Sequence, residues 1–321
     1  MSSPWELLEY IRRTLIVLLG RNFFNFVHIL AIRRDRQLAL STYGASVEEL
    51  HIPTSDEKDR NRKIKVHLYT PPSGPASPGS QKPVVVNLHG SGWTIPFHGS
   101  DLAFCARIAK EVDAYVIDAD YRKAPENPFP AALEDVKDVL DWVASQPERF
   151  DASRVAVSGA SAGGSLALIA SSTLRKSLKV DVKAVIAHYP VTDLSLKAED
   201  RIIPKPVNPL PPPILELFYS NYVGTDVAMR KDPRVSPMYA KIDDYPATVV
   251  IVACGGDTLS VEAKRLADKI DDGKRKVVRC MLEDMNHGYD VGAKPGTKEW
   301  ESREKAHALS IEALKESFER D

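Results

Sequence analysis

Short apolar runs alternate with longer mixed ones along most of this chain. VVVNL, AYVIDA, KAVIAH and TVVIVA are continuously apolar, as parallel strands covered on both faces are. The pattern predicts strands over Glu48–Ile52, Ile64–Tyr69, Val84–Leu88, Ala114–Ala119, Arg154–Ser158, Val182–His188, Thr248–Ala253 and Lys276–Leu282. Helical patterns fill the gaps, over Asp101–Glu111, Ala131–Ser145, Ala162–Arg175, Val261–Asp271 and Glu299–Phe318. Strand followed by helix, repeated, predicts an α/β fold with a mostly parallel, eight-stranded, doubly wound sheet.

Three segments break the alternation. Residues 14–32 are apolar in bulk, but Arg21, Asn22, Asn25 and His28 interrupt them. A central arginine is costly in a bilayer, and Leu15–Leu19 is too short to span one. Glu6 and Glu9 precede the apolar part, unlike a signal peptide. Two amphipathic helices lying on the body are expected, with a membrane-surface contact as the alternative. Thr70–Pro83 is a Pro/Gly/Ser surface loop. Leu194–Tyr245 is a long, proline-rich insertion after the sixth strand, with a short helix at Ile214–Tyr222. An excursion at the carboxyl end of a parallel sheet lies over the place where such folds bind ligands. The expected organisation is a helical cap segment over 1–46, a core over 47–193 and 246–321, and a cap insertion over 194–245.

Between the fifth strand and its helix the chain reads Gly159-Ala160-Ser161-Ala162-Gly163. A serine on a tight strand-to-helix turn stands clear of its neighbours, and flanking glycines avoid collisions in the folded-back chain. The helix N-terminus then faces any oxyanion formed at the serine. A serine hydroxyl needs a base, and the base needs an orienting acid. In this architecture the chain order is serine, acid, histidine, each after a strand. Asp257 follows the seventh strand and His287 the eighth. Asp284 and Asp290 flank His287 and compete for the role of acid. His28, His51 and His67 precede the elbow and read as surface or packing residues, and His307 lies within the last helix. Oxyanion donors are expected from the Ala162 amide and from the loop after the third strand, His89-Gly90-Ser91-Gly92-Trp93.

These residues carry a resemblance to the hormone-sensitive-lipase-like family of α/β-hydrolases, from about Ile64 onward. His89-Gly90-Ser91-Gly92-Trp93 resembles its His-Gly-Gly-Gly segment, and Asp120-Tyr121-Arg122-Lys123-Ala124-Pro125-Glu126 its Asp-Tyr-Arg-Leu-Ala-Pro-Glu segment. Phe129-Pro130-Ala131-Ala132 continues that segment. Gly159–Gly164 resembles its elbow, Asp257-Thr258-Leu259 its Asp-Pro-Leu, and His287-Gly288-Tyr289 its His-Gly-Phe; Glu262 matches a further glutamate. The resemblance implies an α/β-hydrolase fold with a helical cap and a Ser161–Asp257–His287 triad. It also implies oxyanion amides at Ser91, Gly92 and Ala162. Ser91 departs from the family's glycine and is expected to narrow the acyl site or add a hydroxyl contact. Thr258 replaces a proline, so a less rigid acid loop is expected. Lys123 replaces an apolar residue and is expected at the surface.

The implied activity is that of a serine carboxylesterase acting on short-to-medium acyl or aryl esters. Leu210, Leu215, Leu217, Phe218, Tyr219 and Tyr222 make the insertion apolar. Trp93, His188, Phe218, Tyr222 and Tyr289 are the candidate pocket residues. Two other classes use the same residues. One is a dedicated biosynthetic enzyme, such as a deacetylase, lactonase or lyase. The other is a non-catalytic binding protein, against which the presence of His287 counts.

Bulk composition narrows the partners. The 321 residues are 43% hydrophobic and 27% charged, with a net charge of −1, so no nucleic-acid partner is expected. Cys105, Cys254 and Cys280 are too scattered for a disulfide framework and show no metal-ligand spacing. A cytoplasmic protein with no cofactor and no metal is expected. Its partner is a small-molecule ester, with a homodimer left open.

Overall fold

The computed structural model describes residues 8, 11–21, 39–56, 61–75, 77 and 80–319. One sheet of eight strands runs through it in the order β1-β2-β4-β3-β5-β6-β7-β8. The strands are β1 (Ser46–Pro53), β2 (Lys63–Thr70), β3 (Lys82–Leu88), β4 (Tyr115–Ala119), β5 (Phe150–Ala160), β6 (Val182–His188), β7 (Thr248–Cys254) and β8 (Lys276–Leu282). β2 runs antiparallel to both β1 and β4, while β4-β3-β5-β6-β7-β8 are parallel. Every residue of β4 and β7 is buried, which is why these strands read as unbroken apolar runs.

The pleat divides the core into two layers. Val84, Val86, Leu88, Val155 and Val157 face the helices Ala131–Ala144, Ala162–Ala170 and Ser260–Ile270. Val85, Ala156, Ala184 and Ile186 face Leu102–Glu111 and Lys298–Glu319. Alternate residues therefore serve opposite layers, and each strand end delivers one side chain to each.

The helix expected over Ala162–Arg175 stops at Ala170. Ser172 turns its hydroxyl back onto the Leu168 carbonyl at 2.6 Å, and a 3-10 turn follows at Arg175–Ser177. Serine side chains compete with the backbone for these carbonyls, which the apolar periodicity does not register.

Of the N-terminal segment, where two amphipathic helices are expected, residues 11–21 are helical and 22–38 lie outside the described residues. Arg21 donates to the Thr94 carbonyl at 2.7 Å, to Glu126 at 2.6 Å and to the Ala124 carbonyl. The arginine that interrupts the apolar stretch thus holds this helix to loops at the carboxyl end of the sheet. Among the described residues no helix is long and apolar enough to cross a membrane.

The segment between β6 and β7 carries the helix Pro212–Tyr222 and shorter turns. A buried ion pair joins it to the core: Arg201 to Glu262, with Glu262 also accepting the Thr192 amide at 2.8 Å. Arg201 donates in addition to the Asp193 and Leu196 carbonyls, at 3.1 and 3.3 Å. Removing one partner of such a pair strands a buried charge. Arg201→Ala is expected to cost about 3–5 kcal/mol, read as a lower urea midpoint at unchanged slope. A loss within about 0.5 kcal/mol would contradict this role.

Candidate active site

β5 ends at Ala160, and the helix Ala162–Ala170 begins one residue later. Ser161, between them, has φ 52° and ψ −120°, a backbone conformation that side-chain-bearing residues rarely adopt. The turn is held by the Ser161 amide on the His188 carbonyl at 2.9 Å and the Ser165 amide on the Ser161 carbonyl at 3.0 Å. The flanking glycines are sterically required. A Cβ on Gly163 would lie 1.9 Å from the Leu88 carbonyl oxygen, and one on Gly159 would lie 2.5 Å from the Gly163 carbonyl carbon.

The serine hydroxyl meets His287 from the loop after β8, with Oγ 2.9 Å from Nε2. Nδ1 of the same ring lies 2.8 Å from Oδ2 of Asp257, in the turn after β7. Asp257 is fully buried. Its rivals are engaged elsewhere: Asp290 accepts the Tyr189 hydroxyl at 2.7 Å, and Asp284 faces solvent. The arrangement can move a proton from hydroxyl to imidazole while a buried carboxylate holds the ring's orientation and its charge.

Ser91 and Gly92 line the space beside Ser161, and Ala162 opens a helix whose dipole adds positive potential at its N-terminus. Among the described residues the three main-chain N–H groups have no main-chain acceptor and are the candidate oxyanion donors. Gly92 has φ 53°, and a Cβ there would come within 2.6 Å of the Phe218 ring.

Ser91 lines the cavity, but its hydroxyl is engaged within the loop. Its Oγ accepts the Trp93 amide at 2.8 Å and lies 2.6 Å from the Tyr121 hydroxyl, which donates to the His89 carbonyl at 2.7 Å. The hydroxyl expected as a contact for substrate is thus spent on bracing the loop. Ser91→Ala is expected to cost about 1–3 kcal/mol of stability, because the buried Trp93 amide loses its acceptor. The acyl-chain profile should stay as it is, and a shifted preference in an ester series would contradict this placement.

Lys123 is also not at the surface. It is nearly buried, bonds Asp120 at 3.0 Å and sits 3.7 Å above the Tyr121 ring. Burial lowers its pKa, against the pull of Asp120. Burial alone would raise Asp120, but the His89 ring, with Nε2 3.5 Å away, and the Lys123 charge hold it well below the usual carboxylate range. His89 is fully buried, and burial keeps it below its ordinary value. The lysine closes an ionic brace under the Gly-rich loop, so its replacement of an apolar residue is compensated within the fold. Thr258, where a less rigid loop was expected, ties the acid turn to the insertion through its hydroxyl on the Leu210 carbonyl at 2.8 Å.

A cavity of about 320 Å³ opens above Ser161 and His287. Its wall is mostly carbon, from Trp93, Ile95, Phe97, Leu210, Ile214 and Phe218 among others. Of the five expected pocket residues, Trp93 and Phe218 line it. Tyr222 lies behind Trp93, stacked on it at 4.6 Å. His188 ends β6 on the pleat's opposite side, 2.9 Å from Ser310 Oγ, where burial lowers its pKa to about 4. Tyr289 is buried against Tyr189, because the chain turns at Gly288 and directs the next side chain inward. Tyr189, which sequence reasoning missed, lines the cavity with its ring edge-on to His287 at 4.9 Å. Its signal was position alone: it follows β6 directly, where a strand end opens onto the site.

Comparison with known proteins adds independent information. A family profile described as alpha/beta hydrolase fold matches residues 85–291. An ethyl acetate hydrolase of Pseudomonas putida is 30% identical over 249 residues, covering 76% of this chain and 75% of that protein. The carboxylic ester hydrolase LipN of Mycobacterium tuberculosis is 29% identical, covering 78% and 68%. Among solved structures, esterase LipW from Mycobacterium marinum superposes with a TM-score of 0.78 at 25% identity, covering 95% of this chain and 90% of that one.

Proposed function

Since the chain belongs to the alpha/beta hydrolase fold family, among its hormone-sensitive-lipase-like esterases, we propose that Ser161, His287 and Asp257 are its catalytic triad. The protein is a serine carboxylesterase. The observation that carries the triad is the continuous chain from Ser161 Oγ to His287 at 2.9 Å and from His287 to buried Asp257 at 2.8 Å.

His287 Nε2 accepts the Ser161 proton as Oγ bonds to the ester carbonyl carbon. The carbonyl oxygen gains the negative charge and is met by the Ser91, Gly92 and Ala162 amides. Each such donor typically contributes about 2.7–4 kcal/mol of transition-state stabilisation. The tetrahedral species collapses by breaking its bond to the alkoxy oxygen, which takes the proton from His287 and leaves as an alcohol. Water then repeats the sequence on the acyl-serine, releasing the acid and restoring Ser161.

The substrate range follows from the cavity. Its volume of about 320 Å³ lies at the small end of the roughly 300–1,000 Å³ usual for ligand sites, and its wall is apolar. Short-to-medium acyl or aryl esters fit best. The segment 194–245 and the N-terminal helix together form the cap over this cavity. Cytoplasmic residence is supported by three cysteines that are all free and buried. A p-nitrophenyl ester series from acetate to palmitate tests the range. Turnover is expected to peak at short or medium chains and fall steeply beyond; a maximum at palmitate would overturn this reading.

A further inference from the structure

The two loop amides proposed to meet the oxyanion, Ser91 N–H and Gly92 N–H, lie on neighbouring peptide units. The units on either side, His89–Gly90 and Gly92–Trp93, are both held by one buried network centred on Tyr121. The Tyr121 hydroxyl donates to the His89 carbonyl at 2.7 Å, and its oxygen lies 2.6 Å from Ser91 Oγ. Ser91 Oγ accepts the Trp93 amide at 2.8 Å. A carbonyl only accepts, so the phenol proton goes to His89 and the Ser91 proton to the phenol oxygen. The chain is then complete: Trp93 N–H to Ser91, Ser91 O–H to Tyr121, Tyr121 O–H to His89. Between these anchors the Ser91 carbonyl accepts the Thr94 and Ile95 amides, at 3.1 and 2.9 Å. In a trans peptide the N–H points opposite to the C=O, so this turns the Gly92 N–H the other way.

The Tyr121 ring is gripped as well, and only 2% of the residue is exposed. The His89 imidazole stacks on it with centroids 4.8 Å apart, and the Lys123 ammonium sits 3.7 Å from its centroid. Lys123 is itself fixed by Asp120 at 3.0 Å and by the Tyr121 carbonyl. A cation held against the ring quadrupole polarises the phenol and strengthens its O–H as a donor. Ser91 and Lys123 are two positions where the chain departs from the motifs it resembles. Both departures touch Tyr121, one at the hydroxyl and one at the ring. A glycine and an apolar residue in their places would supply neither contact.

We propose that Tyr121 is a positioning residue for the oxyanion loop, through which Ser91 and Lys123 act as one coupled unit. This rests on the triad and oxyanion reading above. Tyr121 lies outside the cavity wall and acts through the loop alone. Its network fixes the direction of the Ser91 and Gly92 N–H groups before the ester oxygen becomes charged. Preorganised donors lower a barrier because they need not reorient as that charge develops. A loop that must settle during the reaction loses this advantage while substrate binds as before. The effect falls on kcat, and it is the same for every acyl chain.

The test is steady-state kinetics of the full-length protein on a p-nitrophenyl ester series, with the affinity of an alkyl trifluoromethyl ketone measured beside it. Addition of Ser161 Oγ to the ketone carbon moves the serine proton to His287 and leaves a charged oxygen for the amides to meet. Tyr121→Phe removes one hydroxyl and keeps the ring. It is expected to lower kcat about 10–100-fold, with KM within about twofold, at every chain length. Ketone affinity should fall by the same factor as kcat/KM. Ser91→Ala should act alike, and the Ser91→Ala/Tyr121→Phe pair should lose no more than Tyr121→Phe alone. Lys123→Met is expected to lose about 3–10-fold in kcat, and nothing further in the Tyr121→Phe background. If Tyr121→Phe fails to fold, the Ser91→Ala/Lys123→Met pair decides, since coupled losses combine to less than their product. Unchanged kcat in Tyr121→Phe, a change in KM alone, unchanged ketone affinity or multiplicative losses in the pairs would each overturn the proposal. Turnover that survives Ser161→Ala would overturn the triad and the proposal with it. An inactive Ser161→Ala beside an unaffected Tyr121→Phe would refute the proposal alone.

Discussion

Ser161→Ala abolishes ester turnover, lowering kcat by about 10⁴–10⁶-fold with KM close to wild type. In the proposed mechanism this hydroxyl bonds the acyl carbon, and alanine offers no nucleophile in its place. Its neighbours His287 and Asp257 keep their own 2.8 Å contact without it. Alanine retains the same Cβ at the same strained turn, so the fold carries no new clash. Any residual rate is expected from the proposed oxyanion amides of Ser91, Gly92 and Ala162 and from binding alone. Steady-state kinetics on the preferred p-nitrophenyl ester reads both parameters. A drop confined to KM would show that the serine binds substrate and does not react with it.

Gly163→Ala has the largest expected effect on folding. The added Cβ would sit 1.9 Å from the Leu88 carbonyl oxygen, 2.5 Å from the Leu88 carbonyl carbon and 2.6 Å from the His89 carbonyl oxygen. All three are main-chain atoms at the end of β3, with no side chain to swing aside. The helix must lift away from the sheet or β3 must bend, and the Gly-rich loop moves in either case. A loss of more than about 4 kcal/mol is expected, or failure to accumulate as folded protein. Gly90→Ala provides the contrast, because a Cβ there would find its nearest atom, the Ala160 carbonyl oxygen, at 3.4 Å. Its cost in urea unfolding should be within about 1 kcal/mol. Similar losses for the two variants would contradict the steric account.

Much of this fold is legible in the sequence alone. Strands buried on both faces write themselves as unbroken apolar runs, so KAVIAH and TVVIVA locate β6 and β7 almost to the residue. The meeting of Ser161, His287 and Asp257 was legible because strand–loop order alone brings the three to one end of the sheet. Side-chain direction was harder. At a strand end, one residue of register decides which layer a side chain joins, and His188 goes to the helix layer away from the cavity. Composition also misleads on burial. Lys123 reads as a surface residue until Asp120 and the Tyr121 ring are seen around it.

Labelling with a p-nitrophenyl phosphonate, followed by intact mass and peptide mapping, tests the central claim most directly. One adduct per chain is expected, located on Ser161, with esterase activity lost in proportion to labelling and no adduct in Ser161→Ala. An adduct on any other residue, or full labelling of Ser161→Ala, would contradict the assignment.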